Sequence, residues 1–215
     1  MFVQLWMRRE VITVSPAETI ANACTLMDTH RIRRIPVIDQ EKKLLGIISK
    51  EDLKKALPSA VDASLTETAR ALARQVRVDT FMTRAPITLA PSDTLEKAAA
   101  IMRRHKIGGI PVIEENILVG IITESDIFDA FLEVLGAGNK DTRIELSVSH
   151  DHTSIYKVFE VLATYDTRIN NIAICNNHSP KTKTIMLRIE SKQAQEIVDE
   201  LWDIGCKISS IIHED

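Results

Sequence analysis

The stretch Ile35-Pro36-Val37-Ile38-Asp39-Gln40-Glu41-Lys42-Lys43-Leu44-Leu45-Gly46-Ile47-Ile48-Ser49-Lys50-Glu51-Asp52 decides the fold, because it occurs twice. The second copy reads Ile110-Pro111-Val112-Ile113-Glu114-Glu115-Asn116-Ile117-Leu118-Val119-Gly120-Ile121-Ile122-Thr123-Glu124-Ser125-Asp126, one residue shorter in its turn. A self-similar segment of this size marks one supersecondary unit used twice. IPVI reads as a strand with Pro at its start, where a missing N–H is tolerated. A polar turn follows, and then LLGIIS or LVGIIT, apolar throughout and so expected to be buried on both faces. Ser49 and Thr123 are natural N-caps of a closing helix, with Asp52 and Asp126 in its first turn.

Working upstream, the match continues through Met27 with Met102, His30 with His105 and Ile32 with Ile107. Ile20, Ala23, Cys24 and Met27 recur at helical spacing, as do Leu95, Ala98, Ala99 and Met102. Thr19 and Thr94 are placed to cap these helices. Short extended pieces, Ile12–Val14 and Ile87–Leu89, precede them, and Trp6-Met7 matches Phe81-Met82. Between the copies, Ala60-Val61, Leu65, Ala69 and Leu72 predict a connecting amphipathic helix within residues 58–77.

Downstream, Gly136-Ala137-Gly138-Asn139-Lys140-Asp141 reads as a Gly-rich hinge. The remainder predicts β-α-β-β-α-β over 143–149, 154–165, 169–175, 184–190, 192–204 and 207–212, with Asn176–Pro180 as the central turn. The first helix is expected to bury Ile155, Val158, Phe159 and Leu162, and the second Ala194, Ile197, Val198 and Leu201. This order is the split βαβ, ferredoxin-like plan.

The bulk numbers narrow the function classes. A net charge of −3 creates no field that would gather nucleic acid or an anionic membrane. No apolar run approaches the roughly 20 residues of a membrane-spanning helix. The N-terminal stretch is broken by Arg8, Arg9 and Glu10 and does not read as a signal peptide, so a cytoplasmic location is expected. Cys24, Cys175 and Cys206 lack metal-site or disulfide spacing and read as reduced structural thiols. His150-Asp151-His152 reads as an exposed polar loop, since no further metal ligand has recognisable spacing. No phosphate-binding loop, GxSxG or HExxH is present, so no enzymatic activity and no required cofactor are expected.

The order M-x-R-x-x-I-T, P-x-x-T, H-x-I-x-x-I-P-V-I and G-I-I-[ST]-x-x-D, twice over, resembles a tandem CBS pair, or Bateman module. The resemblance covers roughly Phe2 to Leu135. It implies CBS motifs at 1–57 and 78–135, joined by 58–77 and related by a pseudo-twofold axis. Residues 141–215 resemble an ACT domain, although the loop Ser149–Thr153 lacks the Gly that amino-acid-binding ACT domains often carry. The combination resembles the AcuB-type acetoin-utilisation proteins. The expected fold class is therefore α/β (α+β), a tandem CBS pair plus a ferredoxin-like βαββαβ domain.

The Ser49/Asp52 and Thr123/Asp126 pairs have two readings. A hydroxyl and a carboxylate three apart share one side of a helix start. They either cap the helix or hold a ligand, the carboxylate accepting from a ribose diol while the hydroxyl and free N–H groups meet phosphate. The resemblance implies two clefts. One joins Asp126 to Ile12, Ile32, Arg33 and Arg34; the other joins Asp52 to Ile87, Ile107, Gly108 and Gly109. The Arg33-Arg34 pair suits phosphate oxygens, or else it is surface charge. Arg8 and Arg84, ahead of the first strand of each copy, are further phosphate-facing candidates or surface charges. His30 and His105 end helices, where the dipole favours them; phosphate contact is the alternative reading. The expected ligand is AMP, ADP, ATP or another adenosyl compound, and the expected role an allosteric regulator. The expected partners are a second copy of the chain and a regulated protein. A ligand-free oligomerisation scaffold and an amino-acid sensor working through residues 141–215 are the alternatives.

Overall fold

The computed structural model describes residues 1–56, 75–138, 140–149, 153–176 and 181–213. The expected connecting helix, the turn at 177–180 and the His150–His152 loop lie wholly or largely outside the described residues. The chain divides into two compact units, Met1–Phe128 and Asp129–Asp215.

In the first unit, each repeat forms a helix, a two-stranded antiparallel hairpin and a closing helix. The first copy comprises α1 (Ile20–Thr29), β1 (Arg34–Ile38), β2 (Leu44–Ser49) and α2 (Lys50–Ala56). After a short strand β3 (Thr83–Arg84), the second copy comprises α3 (Leu95–His105), β4 (Gly109–Glu114), β5 (Ile117–Thr123) and α4 (Glu124–Val134). Thr19 and Thr94 cap α1 and α3 by accepting from the amides of Asn22 and Lys97. The apolar faces they start bury Ile20, Ala23 and Met27, and Leu95, Ala98 and Met102.

Two strand expectations need correction. Pro36 and Pro111 lie inside β1 and β4, opposite Ile47 and Ile121, not at the strand starts. The carbonyl of Pro36 accepts from Val14, so its nitrogen faces the same sparsely paired edge and no ladder bond to β2 is lost. β2 and β5 are not buried throughout: Leu45 and Ile117 are exposed near their first residues, and burial deepens toward Ile48 and Ile122. The β4–β5 turn places Glu115 and Asn116 both at positive φ, the conformation that suits a two-residue hairpin.

The repeats exchange their leading segments. Val3 and Gln4 donate to the carbonyls of Asp93 and Pro91, and Arg8 pairs both ways with Ile121, so the chain's beginning completes the second copy. Correspondingly, Val78 and Asp79 donate to the carbonyls of Glu18 and Pro16, and β3 pairs with β2, completing the first copy. Val78 and Met82 belong to the first copy's core beside Ile35, Val37 and Ile48. Burying each such side chain contributes about 1.5–3 kcal/mol. The segments pass so close that only glycine fits beneath them. A Cβ at Gly46 would lie 2.7 Å from Met82 Sδ and 2.8 Å from the Thr83 carbonyl. One at Gly120 would lie 2.7 Å from Met7 Sδ and 3.0 Å from the Arg8 carbonyl.

The second unit contains β6 (Thr142–Ser149), α5 (Ser154–Thr164), β7 (Arg168–Asn176), β8 (Thr182–Glu190), α6 (Ala194–Asp203) and β9 (Lys207–His213). Its antiparallel sheet has the order β7-β8-β6-β9, the ferredoxin-like arrangement. Ile144, Leu146, Val148, Ile185, Leu187 and Ile189 face Val158, Val161 and Leu162 of α5 and Ile197, Val198 and Leu201 of α6. Phe159, expected in this core, is instead 39% exposed, and Val161 is buried. Asp141 and Arg188 form a buried ion pair, Nη1 to Oδ1 2.8 Å, and Asn170 Nδ2 donates to the other carboxylate oxygen at 3.3 Å. Gly136, at φ 66°, closes α4 by donating to the Glu133 carbonyl. The three thiols are free, with Cys206 buried and Cys175 exposed.

Candidate functional site

The two Ser/Thr-x-x-Asp pairs both cap their helices. Asp126 Oδ2 accepts from the Thr123 amide at 2.7 Å and from Thr123 Oγ1 at 2.5 Å, and the Asp126 amide points back at Thr123 Oγ1, 3.5 Å away. Asp52 Oδ2 accepts from the Ser49 amide at 2.9 Å and Ser49 Oγ at 2.6 Å, with the Asp52 amide 3.2 Å from that hydroxyl. This reciprocal geometry satisfies amides that the helix ladder leaves unpaired.

The pairs differ at the carboxylate's second oxygen. Asp126 Oδ1 accepts from Arg8 Nε at 3.0 Å, and the Asp126 side chain is 7% exposed against 61% for Arg8. The exchanged segments explain the difference. Arg8 bridges to Ile121 on β5, and the residue in the matching place on β2, opposite Ile47, is Thr83. The counterpart of Arg8 is therefore Thr83, as the match of Trp6-Met7 with Phe81-Met82 implies. Thr83 carries no cation for Asp52, and Arg84 donates to the Asp79 carbonyl at 3.0 Å.

A cleft of about 530 Å³ opens in the first unit beside the start of α4. Thr123, Glu124 and Ser125 form one wall. Val11, Ile12, Ile32, Pro36 and Ile121 give it an apolar lining. Arg8, His30, Arg31, Arg33 and Arg34 line it as well, against two acids, Glu10 and Glu124. Asp126 lies at the same helix end, covered by Arg8 and outside the lining. Of the residues expected at a ligand site, the cleft gathers Arg8, Ile12, Ile32, Arg33, Arg34, Thr123 and Gly108. Ser49, Asp52, Arg84, Ile87, Ile107 and Gly109 are not part of its lining.

Gly108 was expected on the Asp52 side but lines this cleft, and Arg34 supplies the reason. Its guanidinium crosses to the second copy, and Nη1 donates to the Gly109 carbonyl at 3.2 Å. A Cβ at Gly108 would meet Arg34 Nη2 and Glu124 Oε2, each at 2.8 Å. Glycine there lets cation and carboxylate converge from opposite sides. Burial pulls the Arg34 guanidinium below its ordinary value, while Glu124 and Glu51 oppose that shift. It remains a cation at neutral pH.

Arg31, Glu10, Ser125 and Glu124 belong to the lining and were not among the expected contacts; His30, for which phosphate contact was the alternative to a dipole-favoured helix end, lines it too. His30 is the C-cap of α1, which turns it toward the cleft; only its place next to Ile32 signals this in sequence. Flat apolar lining and a cationic rim together suit a ligand with one planar apolar part and one anionic part. Among the described residues there is no metal-binding cluster and no helix long and apolar enough to cross a membrane.

Comparison with known proteins agrees with this architecture. The sequence profile of the CBS domain matches residues 3–59 and 73–133. The chain is 36% identical over 129 residues to the uncharacterized protein MJ1225 of Methanocaldococcus jannaschii, over 59% of this chain and 45% of the relative. It thus spans less than half of that relative's length. The AcuB protein of Vibrio cholerae, whose assignment to acetoin utilization is provisional, superposes with a TM-score of 0.54 at 33% identity, over 63% of this chain and 93% of that one. CBSX2, solved in complex with AMP, gives 0.53 at 26% identity, over 62% and 97%. The CBS pair of MJ0100, solved with 5′-methylthioadenosine and S-adenosyl-L-methionine, gives 0.51 at 26%, over 61% and 95%. With two profile matches that together cover more than half of its length, the chain belongs to the CBS domain family.

Proposed function

We propose that this protein is a cytoplasmic regulator that takes an adenosine nucleotide into the cleft beside α4. The observation that carries the reading is the convergence of Ile12, Ile32, Arg33 and Arg34 from the first repeat on Thr123–Ser125 of the second. The purine lies on the isoleucines, the ribose diol turns to Asp126, and phosphate meets the arginines. The adenosine ligands of CBSX2 and MJ0100 support this ligand class. Residues 1–57 and 78–135 act as the two motifs. Residues 141–215 act as an ACT-like coupling or dimerisation domain linked through Gly136–Gly138. Binding favours one packing of the repeats over another and is read by residues 141–215 or by a partner. A homodimer is part of the reading: α4 exposes Phe128, Phe131 and Leu132, at spacings of three and four, for a second copy.

A second reading has its own support. Arg8 already occupies Asp126, and Arg34 already occupies the Gly109 carbonyl, so two polar groups beside the cleft are satisfied from within the chain. This is what a ligand-free oligomerisation scaffold would show. A thermal-shift series with AMP, ADP, ATP and S-adenosylmethionine separates the two. A nucleotide at a hundredfold excess over its Kd stabilises the native state by about 2.7 kcal/mol, a rise of about 5 °C or more. No shift with any adenosine compound leaves the scaffold.

A further inference from the structure

We propose that Arg8 is a ligand-displaced latch, through which the α4 cleft selects phosphorylated nucleosides over uncharged ones. The inference rests on the nucleotide reading above and adds a selectivity rule to it. Asp126 is nearly buried, and both of its oxygens are taken: Oδ2 by Thr123 and Oδ1 by Arg8. Oδ1 keeps one further acceptor site, so a diol that donates both hydroxyls to this carboxylate must displace the guanidinium. The carboxylate itself loses little, because two hydroxyls replace one cationic donor. The released Arg8 loses its partner and has to find another anion.

Arg8 is held where it can find one. Its backbone exchanges two hydrogen bonds with Ile121, at 2.9 and 3.0 Å, so the side chain swings about a fixed point on the cleft wall. Arg31, Arg33 and Arg34 line the same space against Glu10 and Glu124, so a freed cation without an anionic ligand adds to an excess of positive charge. A phosphate removes that repulsion and re-pairs Arg8. Adenosine or 5′-methylthioadenosine bears the cost of opening the latch and returns nothing. The Asp52 end lacks this device, because Thr83 stands where Arg8 would be.

The test is calorimetry of AMP and adenosine on the wild-type chain and on Arg8→Gln, Arg8→Lys and Asp126→Ala. The wild type is expected to prefer AMP strongly. In Arg8→Gln adenosine should bind about tenfold more tightly and AMP about tenfold more weakly, shrinking the preference about a hundredfold. Arg8→Lys keeps a cation and should hold the wild-type preference within a few-fold, so it also controls for loss of folding. If Arg8→Gln weakens AMP but leaves adenosine unchanged, Arg8 is a simple phosphate contact and the latch is overturned. If Asp126→Ala abolishes AMP binding while Arg8→Gln changes neither ligand, the latch fails and the nucleotide reading stands. A wild-type chain that binds neither compound overturns both.

Discussion

Replacing Arg188 with Leu tests the electrostatics of the second unit. Arg188 lies 2.8 Å from Asp141, and the two side chains are 6% and 0% exposed. Without the guanidinium, Asp141 keeps the Asn170 amide donor at 3.3 Å. Removing one partner of a buried pair costs about 3–5 kcal/mol, because the remaining charge is uncompensated. Against a domain stability of about 5–15 kcal/mol, that is a large fraction for a unit this small. The assay is urea unfolding followed by Trp202, which lies on α6, in a Trp6→Phe background so that only this unit reports. The double variant Asp141→Leu, Arg188→Leu should recover most of the loss, since an apolar pair of similar volume is often neutral. A single variant within about 1 kcal/mol of wild type at pH 7, or a double variant no better than the single, would refute the reasoning.

Four other outcomes are expected. Asp126→Asn should weaken AMP binding in calorimetry at least about tenfold, while Asp52→Asn leaves this cleft's affinity unchanged. Gly46→Ala and Gly120→Ala should each cost about 1–3 kcal/mol in urea unfolding. Gly46→Ala should be the worse, because its Cβ meets a backbone carbonyl at 2.8 Å against 3.0 Å. Phe131→Asp should shift the native mass spectrum from dimer to monomer; an unchanged dimer places the interface elsewhere. Asp93 is held below the ordinary carboxylate range chiefly by its hydrogen bond from Lys97. Its contribution is present at neutral pH and lost as pH falls through that lowered pKa. Lys97→Met should thus flatten the acid side of the stability profile.

What the sequence revealed, and what it hid, follows from the range of each interaction. α1, α3 and the caps at Thr19 and Thr94 are set by neighbours three or four apart, so local spacing finds them. The ferredoxin-like unit was legible for the same reason. Phe159 misled because it lies at the margin of the α5 stripe, where size alone favours burial but Val161 fits the core. The exchange of Val3–Arg8 and Val78–Arg84 left no periodic signal, since period counts a segment's faces and not its partner. Arg34's reach to Gly109 and the Asp141–Arg188 pair are long-range contacts of the same kind. The isoleucines and arginines of the cleft were readable only through the resemblance of the doubled motif.

The crossed leading segments have a consequence for how such a module arises and how it can be cut. A chain carrying one repeat would expose the groove that Val78 and Met82 fill, and would present its own matching segment to solvent. Two such chains could satisfy each other by reciprocal donation, so the tandem form is a symmetric dimer made intramolecular by its tether. Splitting the module between repeats should therefore yield fragments that re-associate rather than two independent domains.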